Sequence, residues 1–415
     1  MRLLTIPEYS TRAYRPLPAA VAGALAKTGA VGVTMDLQGR TQLTSTSYVG
    51  VVRAGEVELR ITPKLKIHRL LWLIGYASDP KGWRDEQQVD LQEIDDLVAA
   101  MAVSFVAAST GALAHGLLRG YQVIEEASAT LRGRLRESDQ VRRRRSVALP
   151  LEVRYDDYTV DIPENQLLLS AALRLRHLSG LPPNTRGALH RLITLMGEVT
   201  PLNSGQQLPT TRFDQLNRHY RSAVLLARLI LSGKSLEQPP GATTAAGFLF
   251  DLNLVFEQWL TTALREALLP FGGHLRGQWP GHLDVGKSIS LRPDMVWERG
   301  GRPAGVVDAK YKSVNRDAAG PNPDLYQMLA YCTVLGLRAG HLVYAAGEQT
   351  PSRCVVINTA TTISTWALHL DKPVPELLHD VFQLADRLSI LAAETMETVL
   401  RTTVLDNGTP LPAAR

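Results

Sequence analysis

Two short apolar runs, Ile289–Glu298 and Ala304–Lys312, are joined by Arg299-Gly300-Gly301-Arg302-Pro303. Alternating residues on either side of a Gly-Gly turn read as two strands of a hairpin, so a sheet must form here. Both strands carry acids, as Pro293-Asp294 on the first and Asp308-Ala309-Lys310 on the second. Side chains alternate along a strand, so Asp308 and Lys310 face one way while Ala309 faces the other. Hairpin pairing then sets Asp294 beside Asp308. Adjacent carboxylates repel one another, and a divalent cation resolves that repulsion. An all-oxygen donor set favours Mg²⁺ or Mn²⁺ over zinc. Lys310 next to such an ion can orient or help deprotonate an attacking water and stabilise charge on a phosphate. This is the minimum equipment for cutting a phosphodiester, with Asp294, Asp308 and Lys310 as the expected catalytic residues.

The flanking segments add to that set. Phe248 to Leu269 reads as an amphipathic helix ending before Pro270, and its Glu257 could join Asp294 and Asp308 as a third metal carboxylate. Pro323 to Leu335 reads as a helix opened by proline. On it Gln327 and Tyr331, four apart, share a face and could meet the substrate backbone. Lys312 continues the strand face of Asp308 and Lys310 as a phosphate contact. His341–Ala346 and Arg353–Asn358 read as further strands, so residues 241–415 are expected to form an α/β domain. An ordinary charged strand would also show Pro-Asp and Asp-x-Lys. The apolar lead Ala304-Gly-Val-Val307 and the Gln-x-x-x-Tyr helix favour the site. A competing motif, Gly281-His-Leu-Asp-Val-Gly-Lys-Ser288, satisfies Walker A spacing. A phosphate loop needs a buried strand before it and a helix after it. Here Gln278-Trp-Pro280 precedes and a strand pattern follows, so the match is read as chance.

The other residues require a purpose of their own, because 415 residues far exceed one small nuclease domain. Tyr48–Arg53 and Glu56–Ile61 read as a hairpin, and a helix is expected from about Leu91 to Leu118. Its stretch from Leu97 to Leu118 lacks Asp, Glu, Lys and Arg but is rich in Ala, Ser, Gly and Thr, which favours a buried helix over a membrane span. Further helices are expected over Asn165–Leu178, Thr185–Met196 and Thr211–Leu231, the first with a capping box in Asp161-Ile-Pro-Glu164. Seven arginines lie between Arg132 and Arg145, either a phosphate- or partner-contacting strip or a solvated face. Gln238-Pro-Pro-Gly241 marks the clearest boundary. The organisation expected is an α+β multidomain chain: a β-containing domain over 1–125, which the resemblance given below implies is for docking, a mainly helical bridge over 126–240 and the α/β domain over 241–415. Net charge is only +5, so strong free-standing binding to nucleic acid is not expected. Two cysteines and no signal-peptide pattern at the N-terminus suit a reducing, cytoplasmic setting.

The carboxylate–lysine strands followed by Gln-x-x-x-Tyr resemble the PD-(D/E)xK nuclease superfamily. Ile61-Thr-Pro-Lys-Leu-Lys-Ile67, Gly116-Leu-Leu-Arg-Gly-Tyr121, Leu131-Arg-Gly-Arg-Leu135, Tyr158-Thr-Val-Asp-Ile-Pro-Glu-Asn165 and Asp308-Ala-Lys-Tyr-Lys312 narrow the resemblance. In that order they are similar to the blocks of the McrC family, the nuclease subunit of McrBC-type modification-dependent restriction systems. The resemblance implies a restriction-endonuclease-like domain that cuts modified double-stranded DNA with Mg²⁺. It also implies an N-terminal region that docks on and stimulates a hexameric AAA+ GTPase, with GTP used by that partner. It assigns cutting to Asp294, Asp308 and Lys310, supported by Glu257, Gln327 and Tyr331. The alternative is a non-catalytic DNA-binding adaptor that stimulates the motor.

Overall fold

The structure, a computed structural model, describes the chain except residues 79, 81–96, 145–148, 179–180, 204–205, 212, 233, 236–244, 312–322, 346–351, 360 and 407–415. Lys312 and Gln238-Pro-Pro-Gly241 lie outside the described residues. The chain divides into two compact units, residues 1–88 with 235–415 and residues 89–234. These divisions differ from the expected ones at 125/126 and 240/241. The reason is a strand absent from the sequence reading: Ala245–Asp251 pairs antiparallel with Tyr48–Ala54, from Ala245↔Ala54 to Asp251↔Tyr48. Phe248 therefore opens no helix. The helix is Leu252–Leu268, capped by the Asp251 carboxylate, which accepts from the Asn253 amide. Gly50 permits the pairing, because a Cβ there would lie 2.1 Å from the Phe248 carbonyl oxygen.

The first unit holds this sheet and a second, larger one. In the first sheet Tyr48–Ala54 and Val57–Thr62 form the expected hairpin, and Arg2–Pro7 runs parallel to Val57–Thr62. The larger sheet has strand order His274–Gly277, Met295–Arg299, Arg302–Lys310, Ala339–Ala345, Thr362–Leu368, Ser352–Val355. Met295–Arg299 and Arg302–Lys310 pair antiparallel as expected, and Arg302–Lys310 pairs parallel with Ala339–Ala345. A parallel pair requires a crossover, supplied by the helix Pro323–Leu335 within the bounds expected for it. That helix buries Met328, Tyr331, Cys332 and Leu335 against Val296, Val306, Leu342 and Ile363. Gly340 allows its close approach, since a Cβ there would meet Met328 Sδ at 2.5 Å. Thr362–Leu368 and the helix Val374–Asp406 fall in sequence for which no element was expected. Leu388 of that helix lies against Gly305. Val306 therefore faces the Pro323–Leu335 helix and Gly305 the opposite side. By the same alternation Asp308 shares the face of Val306.

The second unit packs helices against one another and carries a small, largely exposed sheet. Gly120–Ser128, Leu151–Thr159 and Arg134–Leu135 make the sheet, with Leu151–Thr159 in the middle. Leu97–Ala112 is buried along most of its length, and no helix among the described residues is long and apolar enough to cross a membrane. The helix Pro163–Arg176 starts at Ile162 rather than at a capping box. The Asp161 carboxylate instead accepts from the Thr200 amide and from Gln166 Nε2, each at 2.9 Å. The helix expected from Thr211 begins at Arg221, because Asp214 ties Leu216 and Asn217 into a turn. In the arginine strip, Arg136 pairs with Glu125 and Asp139, Arg142 with Asp139 and Arg143 with Glu152, while Arg132 stacks over Tyr155. Among the described residues, three of its seven arginines are thus paired with carboxylates of the same unit.

Candidate active site

Asp308 and Lys310 occupy the C-terminal end of the strand Arg302–Lys310, on the side covered by Pro323–Leu335. Asp308 is 2% exposed, and the Lys310 ammonium lies 2.5 Å from its Oδ2. The same ammonium donates to Gln327 Oε1 at 2.9 Å, so the helix that packs the sheet also aims the lysine. Two opposed effects act on Lys310. Burial disfavours its charge, but Asp308 and Asp294 outweigh burial and hold its pKa above the ordinary lysine value.

Asp294 sits where the hairpin register places it, just before Met295, which pairs with Val307. Its Oδ2 accepts the Ala309 amide at 2.9 Å, locking the carboxylate between Asp308 and Lys310 in sequence. Burial, then repulsion by Asp308 and Glu257, raises the Asp294 pKa to about 8. Glu257, on the helix Leu252–Leu268, is likewise raised, by burial first and then by the Asp308 charge. Burial and the neighbouring acids together thus disfavour the charged form of both groups. Tyr331 is placed differently from the expected substrate contact. It is buried and its hydroxyl donates to the Arg292 carbonyl at 3.4 Å, so it supports the backbone leading into Asp294.

Three participants escape sequence reasoning. Gln278 Nε2 donates to Glu257 Oε1 and to Asp294 Oδ1, the latter at 3.4 Å, bridging two carboxylates with a neutral amide. Gln278 holds a φ of +51°, a left-handed conformation costing a non-glycine residue on the order of 1 kcal/mol. No motif marks it, since only the pairing of its backbone with Asp294 brings it there. Arg292 is exposed, lies close enough to act electrostatically on Glu257, and has no carboxylate partner among the described residues. Its position one residue before Pro293-Asp294 was a signal available in the sequence. The third is Glu8, only 1% exposed, whose Oε1 accepts from the Lys64 amide at 2.7 Å and from the Tyr311 hydroxyl at 3.2 Å. Tyr311 follows Lys310 directly and its ring lies 6.3 Å from that of Phe256, the neighbour of Glu257. The N-terminal strand thereby clamps the end of the strand that carries the lysine.

The octapeptide with Walker A spacing is no phosphate loop. Gly281–His282 pairs with Ser290–Leu291 as a two-stranded hairpin, and no helix follows. The amides of Ser288 and Ile289, which a phosphate would need, bond instead to the Asp284 carboxylate at 3.1 and 2.8 Å.

The chain belongs to the family described as McrBC 5-methylcytosine restriction system component, whose profile matches residues 43–345, well over half of its length. No curated protein matches the chain in sequence. Among solved structures, a chain from the refined half-complex of a tetradecameric assembly of Thermococcus gammatolerans McrB AAA+ hexamers with bound McrC is similar. Its TM-score is 0.57 at 17% identity, covering 93% of this chain and 100% of that one. The likeness is one of fold. A chain of the cryo-EM structure of the Thermococcus gammatolerans McrBC complex aligns with a TM-score of 0.37 at 18% identity, over 64% of this chain and 88% of that one.

Proposed function

We propose that this chain is the Mg²⁺-dependent DNA endonuclease subunit of its McrBC-type restriction system, with a restriction-endonuclease-like fold in the larger sheet. The observation that carries the reading is the Asp308–Lys310 pair beside Asp294, at the C-terminal end of a central strand of a mixed sheet. An all-oxygen donor set suits Mg²⁺ or Mn²⁺. Asp294 and Asp308 would hold the ion, with Glu257 as the further carboxylate. When bound, such an ion supplies a Lewis acid for the phosphate and acidifies a coordinated water.

The chain's own groups do the rest. Lys310, held by Gln327, presents a cation to the scissile phosphate or to the attacking water, where a fixed charge in a water-poor site lowers the barrier. Arg292 offers a second phosphate contact. The family's description supports DNA with methylated cytosine as substrate, and the AAA+ hexamers in the similar assembly support an AAA+ partner, for which GTP is the proposed nucleotide. The reading is tested by mixing the chain with its AAA+ partner, GTP and methylated plasmid, in Mg²⁺ or in EDTA. Linear product is expected in Mg²⁺ alone. GTP hydrolysis stimulated by the chain without any cleavage in Mg²⁺ would instead establish the adaptor reading.

A further inference from the structure

The hairpin from Gly281 to Leu291 extends the ladder that delivers Asp294. Backbone bonds run from Gln278 to Asp294 at 2.7 Å and from Trp279 to Pro293 at 3.0 Å, then through the pairs Gly281↔Leu291 and His282↔Ser290 to Leu283 and Ile289. Asp294 and Ile289 lie five positions apart, so at about 3.3 Å per residue the tip stands up to roughly 15–20 Å from the carboxylates. The base is fixed: Trp279 packs against the sheet core, and a Cβ on Gly281 would lie 2.4 Å from its ring.

The tip closes on itself and exposes aliphatic side chains. Asp284 closes it with bonds from the Ser288 amide and hydroxyl and the Ile289 amide, and Lys287 turns through a φ of +56°. Exposed on it are Leu283 at 45%, Val285 at 104% and Ile289 at 52%. Three aliphatic side chains on one rigid loop form a patch that water disfavours and a surface partner would cover. Lys287 at the tip and Arg292 at the base are exposed cations without a carboxylate partner among the described residues. A narrow ribbon with an apolar tip and flanking cations, rooted at a phosphodiester site, matches a groove of duplex DNA. The major groove admits a two-stranded ribbon, and its thymine methyl groups and base edges accept apolar contact.

We infer that the Gly281–Leu291 hairpin is a DNA-contacting arm that enters the groove beside the scissile phosphate and holds the duplex against Asp294 and Asp308. The inference rests on the nuclease reading. It is tested with the full chain and a fluorescein-labelled duplex, by anisotropy at low ionic strength, where weak phosphate-driven binding becomes measurable, and in Ca²⁺ so that binding is read without cleavage, comparing wild type with Val285→Glu and Leu283→Glu. Val285 is fully exposed, so its replacement leaves the fold intact. Each variant is expected to weaken DNA binding at least about fivefold while GTPase stimulation of the AAA+ partner is unchanged. Unchanged affinity in both variants, or no binding by the wild type, would overturn the arm. Lost GTPase stimulation with DNA affinity kept would overturn it in favour of a protein-docking loop. Failure of the nuclease reading shows separately, as a wild-type complex that binds duplex and leaves it uncut in Mg²⁺.

Discussion

Asp308→Ala is expected to lower DNA cleavage by the assembled complex at least about a thousandfold, and Lys310→Ala by about a hundred- to a thousandfold. Both should leave stimulation of the partner's GTPase intact. Asp308 is the most buried of the three carboxylates proposed to hold the ion and the one the lysine touches, so its loss removes a proposed metal ligand and the anchor of Lys310 together. Lys310→Ala has a second consequence. It leaves a buried carboxylate without its counter-charge, which costs on the order of 3 kcal/mol where no cation replaces it. Its melting temperature in EDTA should therefore drop, and Mg²⁺ should restore part of the loss. Thermal melts in both buffers, run beside the cleavage assay, separate a folded but inactive variant from an unfolded one. Cleavage surviving either substitution in a folded chain would remove these residues from the chemistry.

Asp294→Asn is expected to abolish cleavage and, without metal, to stabilise the chain. The Asp294 carboxyl has a pKa raised from an ordinary carboxylate value to about 8, so the folded chain binds that proton more tightly than the unfolded one. Stability then falls as pH rises from about 4 towards about 8, because ionising Asp294 beside Asp308 and Glu257 is resisted in the fold and free in the unfolded chain. Asparagine keeps the shape and the Ala309 contact while removing the charge. At pH 8 in EDTA the gain should be on the order of 2 kcal/mol, discounted for partial solvent access, and should vanish near pH 4. Urea unfolding across that range measures it. Saturating Mg²⁺ should reverse the order, stabilising wild type more than the variant. An equal or lower stability of Asp294→Asn at pH 8 would mean that the three acids do not compete for charge.

The hairpin Met295–Lys310, the crossover helix Pro323–Leu335 and the alternation of Asp308, Ala309 and Lys310 were legible because each rests on local periodicity and a turn. What escaped is what only tertiary pairing creates. Phe248-Leu-Phe-Asp251 continues smoothly into a helical pattern, and nothing local says that Val49–Val51 will claim it as a strand. Asp161 has the spacing of a capping box, yet the Thr200 amide, distant in sequence, takes its carboxylate. Gln278 and Glu8 enter the site through a sheet ladder and through strands far apart in the chain, so no spacing rule finds them. The Walker-like octapeptide shows the converse, a complete motif whose amides the fold spends on Asp284.

The central claim is that Asp294 and Asp308 together receive a divalent cation. Diffraction from crystals of the chain grown with Mn²⁺, recorded at the manganese absorption edge, locates that ion directly. The account predicts one strong anomalous peak bridging the carboxylates of Asp294 and Asp308, with the Lys310 ammonium drawn back from Asp308, and no such peak in Asp308→Ala. An ordered Mn²⁺ elsewhere, or none at the pair with Lys310 still seated on Asp308, would contradict it.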